Sequence, residues 1–68
     1  MDKKVGRIIS LYNRVVDGEV LVKADEAARY GVNEKSIQRD INDIRAYFSN
    51  DPESNRKLVY DRRKKGYV

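Results

Sequence analysis

Apolar and polar positions follow different rhythms in different parts of this chain. Val5, Ile8, Ile9, Leu11, Tyr12, Val15 and Val16 recur at the i, i+3, i+4, i+7 spacing of one helix face. Asp2 is placed to cap that helix, and Asp17-Gly18 to stop it. The same spacing puts Arg7 and Arg14 on its solvated side. Glu19-Val20-Leu21-Val22 is short, apolar and β-branched, which predicts a brief strand. Lys23 to Tyr30 reads as a short second helix with small residues at Ala27 and Ala28 and no strong N-cap. Gly31 breaks that pattern, and Asn33 can cap a third helix by accepting a bond from a free amide at its start. The third helix, about residues 33–48, carries Ile37, Ile41, Ile44, Tyr47 and Phe48 along one stripe. Ser49-Asn50-Asp51-Pro52 ends it, because proline lacks the amide hydrogen and disfavours a helical residue before it.

A polar loop to Asn55 leads into Lys57 to Arg62, a strand with a Leu-Val-Tyr centre. Arg63-Lys64-Lys65-Gly66 reads as a turn, and Tyr67-Val68 as the start of the returning strand. Tyr60 and Tyr67 would face each other across that hairpin. The other aromatics, Tyr12, Tyr30, Tyr47 and Phe48, fall on apolar stripes and read as core.

The order of elements is helix, short strand, helix, helix, hairpin. It predicts a mostly α fold with a small β wing: a winged helix-turn-helix of three helices, a short strand and a C-terminal hairpin, in one domain over residues 1–68. A helix-turn-helix needs a small residue where its helices cross and a turn that tolerates positive φ. Ala27 supplies the first and Gly31 the second, with Val32 plugging the corner and Ile37 anchoring the following helix.

Composition narrows the chemistry. The chain has 68 residues and neither His nor Cys. A chain this short buries only about 60% of the surface it exposes when unfolded, which leaves no room for a deep substrate cavity. Without His or Cys the usual general base, thiol nucleophile and commonest metal ligands are missing. No enzyme activity, metal or cofactor is expected. No apolar run is long enough for a membrane span, and a cytoplasmic protein is expected. The net charge of +4 is unevenly spread: residues 56–68 hold six basic residues against one acidic residue. Such asymmetry points to a polyanion, nucleic acid before membrane.

The third helix then becomes the informative element. Anchoring Ile37 and Ile41 inward turns Lys35, Ser36, Gln38, Arg39 and Asn42 outward or sideways. Gln suits bidentate contact with adenine, and Arg or Lys with guanine. Ser36 and the helix N-terminal amides suit phosphate. Lys35, Ser36, Gln38 and Arg39 are the expected base contacts, with Asn42 further along the groove. The bland alternative is a solvated face with pairs such as Arg39–Asp43. Asp40 is expected to face protein, against a wing cation. Arg62, Arg63, Lys64 and Lys65 would lie along the phosphate backbone, or merely protect a strand edge from pairing.

The runs SIQRDINDIRAYF and YDRRKKGYV resemble the N-terminal DNA-binding domain of bacterial WYL-domain transcriptional regulators, and are similar to DeoR-like and biotin-repressor-like winged helices. The resemblance extends from about Arg7 to Val68. It implies double-stranded DNA as partner, contacts on Lys35, Ser36, Gln38 and Arg39 with the wing cations behind them, and possible homodimerisation of a longer protein. The effector-binding C-terminal domain of such regulators is absent from this chain. One departure is Glu26, where many such domains have Leu; it implies either a slightly rotated second helix or a partly exposed Glu26. Two other functions compete: a winged helix that contacts protein through its third helix with little salt effect, and an RNA-binding winged helix dominated by its wing and aromatics.

Overall fold

The computed structural model describes residues 3–53 and 56–68. Three helices, α1 (Lys3–Val16), α2 (Lys23–Tyr30) and α3 (Glu34–Asn50), precede a two-stranded antiparallel sheet of β1 (Tyr60–Asp61) and β2 (Gly66–Tyr67). The mostly helical class with a small sheet agrees with the sequence reading. The expected cap at Asp2 lies outside the described residues.

The helix boundaries follow from local chemistry. Gly31 ends α2 in the left-handed region, at φ 65°, and Val32 N–H closes the turn on the Ala27 carbonyl at 3.0 Å. Asn33 caps α3, its side-chain oxygen accepting from Ser36 N–H at 2.8 Å. Helix α3 runs two residues past Phe48. It ends where Asp51, preceding Pro52, turns extended.

Leu11, Leu21, Ile37 and Ile41 are fully buried at the centre of the core, with Ala27, Ile44, Phe48, Leu58 and Tyr67 around them. Each helix contributes, and Leu58 and Tyr67 close the core from the hairpin side. Val32 packs against this cluster, as its corner position requires.

Helix α1 is turned differently from the sequence expectation. Among its apolar residues only Leu11 is buried, while Val5 and Ile9 are nearly half exposed. The helix instead turns Arg7 and Arg14 inward, correcting their assignment to the solvated side. Arg7 grips Asp40 through Nε and Nη2, and Arg14 grips Glu26 through both terminal nitrogens. Glu26 is 3% exposed and Asp40 fully buried. Glu26 is therefore not partly exposed; Arg14 meets it from α1. Tyr30 extends this polar layer, its hydroxyl donating to Ser10 Oγ at 2.7 Å. The aromatic residue Tyr47, expected in the core, is more than half exposed and sets its ring edge-on to Tyr12 at 5.7 Å.

The strands are shorter than expected. Residues 19–22 contribute a single antiparallel bridge, with Leu21 and Tyr67 exchanging N–H···O bonds of 2.9 and 2.8 Å. The hairpin pairs Tyr60 with Tyr67 and Asp61 with Gly66, and Val59 and Val68 exchange a further pair of bonds. Its turn is residues 62–65, one position earlier than expected, so Gly66 belongs to β2. The left-handed residue is Lys65, at φ 56°. Gly66 is needed for a different reason: a Cβ there would lie 2.5 Å from Val20 Cγ1 and 2.7 Å from the Leu21 carbonyl oxygen. Gly66→Ala should force the hairpin off Leu21 and cost about 1–3 kcal/mol, the usual penalty for overpacking. Urea unfolding followed by circular dichroism checks this; an unchanged midpoint would show that the hairpin yields without loss.

Candidate nucleic-acid interface

Helix α3 has one fully committed face. Ile37, Asp40, Ile41, Ile44 and Phe48 are buried, which leaves Lys35, Arg39 and Asn42 exposed on the other side with Gln38 half-buried at its edge. The two first turns therefore present cations and amides outward. Ser36 is half-buried, and its amide is already taken by the Asn33 cap, so its hydroxyl is what it retains for a ligand.

The acidic residues of the helix separate by environment. Asp40 faces protein as expected, but its partner is Arg7 of α1 and not a hairpin cation. Withdrawing Asp40 takes a negative charge off the polar face. Asp43 stays exposed and lines the α1 flank of the helix. Among the described residues no Arg39–Asp43 ion pair forms, so Arg39 is not held by that intrahelical partner.

Gln38 is held by two side-chain bonds. Its Nε2 donates to Asn42 Oδ1 at 3.0 Å, and its Oε1 accepts from the Tyr67 hydroxyl at 3.2 Å. The second contact joins the hairpin to the polar face of α3. Tyr67 can reach because it sits at the centre of the sheet, bonded to Leu21 on one side and stacked edge-on against Tyr60 on the other, at 5.4 Å.

Arg62, Arg63, Lys64 and Lys65 are all exposed at the hairpin tip. Four adjacent cations repel, so the turn needs a backbone anchor. Asp61 supplies it: Oδ1 accepts from Arg63 N–H at 2.8 Å and Lys64 N–H at 3.1 Å, the way Asp stabilises turns.

Lys23 was not singled out from sequence. It lines a cleft of about 170 Å³ together with Glu34, Tyr60, Lys65 and Tyr67, between the start of α2 and the hairpin. The signal available was weak: a cation at the first residue of a helix whose preceding Val22 offers no side-chain cap. A larger groove, about 320 Å³, lies on the other flank of α3 and is lined by Ile8, Ile9, Tyr12, Asp43, Ile44 and Tyr47. It is apolar and carries no group suited to an anion.

No helix among the described residues is long and apolar enough to cross a membrane. Comparison with protein-family models, curated proteins and solved structures finds no match to this chain.

Proposed function

We propose that this chain is a winged helix-turn-helix that binds double-stranded DNA sequence-specifically, as the reading domain of a bacterial transcriptional regulator acting in the cytoplasm. In this reading α3 enters the major groove and the hairpin is a basic wing on the backbone. The observation that carries it is the bond from Tyr67 to Gln38, which seats the hairpin and its four exposed cations beside the outward face of α3. A major groove about 12 Å wide admits one helix. Lys35, Ser36, Gln38, Arg39 and Asn42 are the base-contacting groups, and the Ser36 hydroxyl also suits a phosphate oxygen. Arg62, Arg63, Lys64 and Lys65 supply affinity that does not depend on sequence. The reading requires no metal, cofactor or catalytic group.

The apolar groove between α1 and α3 favours protein contact as a second activity. It lies off the polar face of α3, so a protein there and DNA on α3 do not compete.

Selection from a randomised duplex library tests the proposal. The chain should recover a short consensus, and Arg39→Ala should cost about 1–3 kcal/mol on that site and relax one base position. An unchanged preference would remove Arg39 from the reading set; recovery of no consensus would contradict sequence-specific binding.

A further inference from the structure

We propose that Tyr67 is a positioning residue for base choice: its hydroxyl, delivered from the hairpin, fixes the donor–acceptor order of the Gln38 amide so that the edge left for DNA suits adenine. The inference rests on the reading of α3 as a major-groove helix.

A glutamine amide has two N–H donors and two acceptor lone pairs. Its last torsion is soft and nearly two-fold, so an unrestrained Gln presents either order to a base. Here Oε1 accepts from Tyr67 and Nε2 donates to Asn42, which leaves one lone pair and one N–H. Adenine offers an N7 acceptor and an N6 donor in the major groove, the complement of that pair. Flipping the amide would set Nε2 against the phenol oxygen and Oε1 against Asn42 Oδ1. The first exchange is poor because a phenol donates better than it accepts, and the second requires Asn42 to turn as well.

The order is set at the Tyr67 end because that end is rigid. Tyr67 is 8% exposed, doubly bonded to Leu21 through its backbone, and stacked against Tyr60. Asn42 is exposed on the helix and can follow either order. A residue that need not touch DNA would thereby govern what Gln38 reads.

Tyr67→Phe removes the hydroxyl and keeps the ring. One neutral hydrogen bond corresponds to roughly a 2- to 12-fold bias between the two amide orders. The adenine preference at the Gln38 position should fall by about that factor in selection from a randomised duplex library, a larger change than at any other position of the consensus. Gln38→Ala should erase the same preference outright. In nuclear magnetic resonance spectra of the unsubstituted chain, the Gln38 Nε2 protons should be displaced from the values of a free glutamine, and in Tyr67→Phe they should move toward those values. Adenine preference kept in Tyr67→Phe but lost in Gln38→Ala would overturn the inference. So would Gln38 amide protons in the unsubstituted chain that sit at the values of a free glutamine. If the Gln38 signals respond but the unsubstituted chain recovers no consensus, the contact is real and the DNA reading fails, taking the base-choice role with it.

Discussion

Asp40→Ala should unfold most of the protein at room temperature. The substitution removes the fully buried carboxylate gripped by the Arg7 guanidinium, whose side chain is 12% exposed, and leaves a void in its place. Breaking a buried pair by removing one partner costs about 3–5 kcal/mol. A single core of this size supplies only roughly 3–5 kcal/mol in total. Circular dichroism during urea titration would read the loss directly. An Asp40→Ala chain that stays folded to within about 1 kcal/mol of the original would mean that water or Arg7 movement absorbs the charge.

The Arg14–Glu26 pair makes the complementary case. Hydrogen bonding to Glu26 holds the Arg14 guanidinium above its ordinary value, against the lowering effect of burial. A raised cation contributes its stability fully below the ordinary arginine range, so this pair adds no pH dependence from Arg14 near neutrality. Arg14 Nε is buried without a hydrogen-bond partner among the described residues. An imperfectly satisfied ion pair is a good candidate for apolar replacement. Arg14→Met with Glu26→Leu should therefore be neutral or stabilising by about 1–4 kcal/mol, whereas Arg14→Met alone leaves the buried Glu26 carboxylate with only Arg29, at 3.9 Å, and should be destabilising. The same urea titration separates the two variants.

The second large effect concerns the hairpin. Replacing Arg62, Arg63, Lys64 and Lys65 together with Gln should weaken binding to every duplex alike. Each lost phosphate contact should lower the slope of log affinity against log salt by about 0.9, to a limit of about 3.6 for four. All four side chains are exposed, so helix content should not change. Titrations at several salt concentrations give the slope. An unaltered slope would take the hairpin tip off the backbone and leave edge protection as its role.

How much of this was legible in sequence depends on whether the signal was local. The α2–α3 corner was readable because Gly31 and Asn33 act within a few residues of where they stand. The exposure of Lys35, Arg39 and Asn42 followed from the Ile37–Ile41–Ile44 stripe alone. The facing of α1 was not readable, because periodicity tallies apolar residues and α1 turns two arginines inward. Their partners lie 33 and 12 residues away in sequence, so neither pair has a local signature. The same limit explains Glu26, for which rotation and exposure were the available explanations until Arg14 arrived from another element. Gly66 was assigned to the turn on composition; its close approach to Val20 and Leu21 is a tertiary fact. The Tyr67–Gln38 contact spans 29 residues and joins a hairpin to a helix, so residue types alone could not reveal it.

The central claim is that the α3 face and the hairpin together form a duplex-DNA surface. Fluorescence-anisotropy titration with labelled random duplex at two salt concentrations, with single-stranded RNA as competitor, tests it most directly. Duplex binding is expected in the non-specific range of about 10⁻⁴–10⁻⁶ M, weakening steeply with salt and not displaced by the RNA. No duplex binding at low salt by either the chain or a covalently joined dimer of it, or displacement of the duplex by RNA, would contradict it.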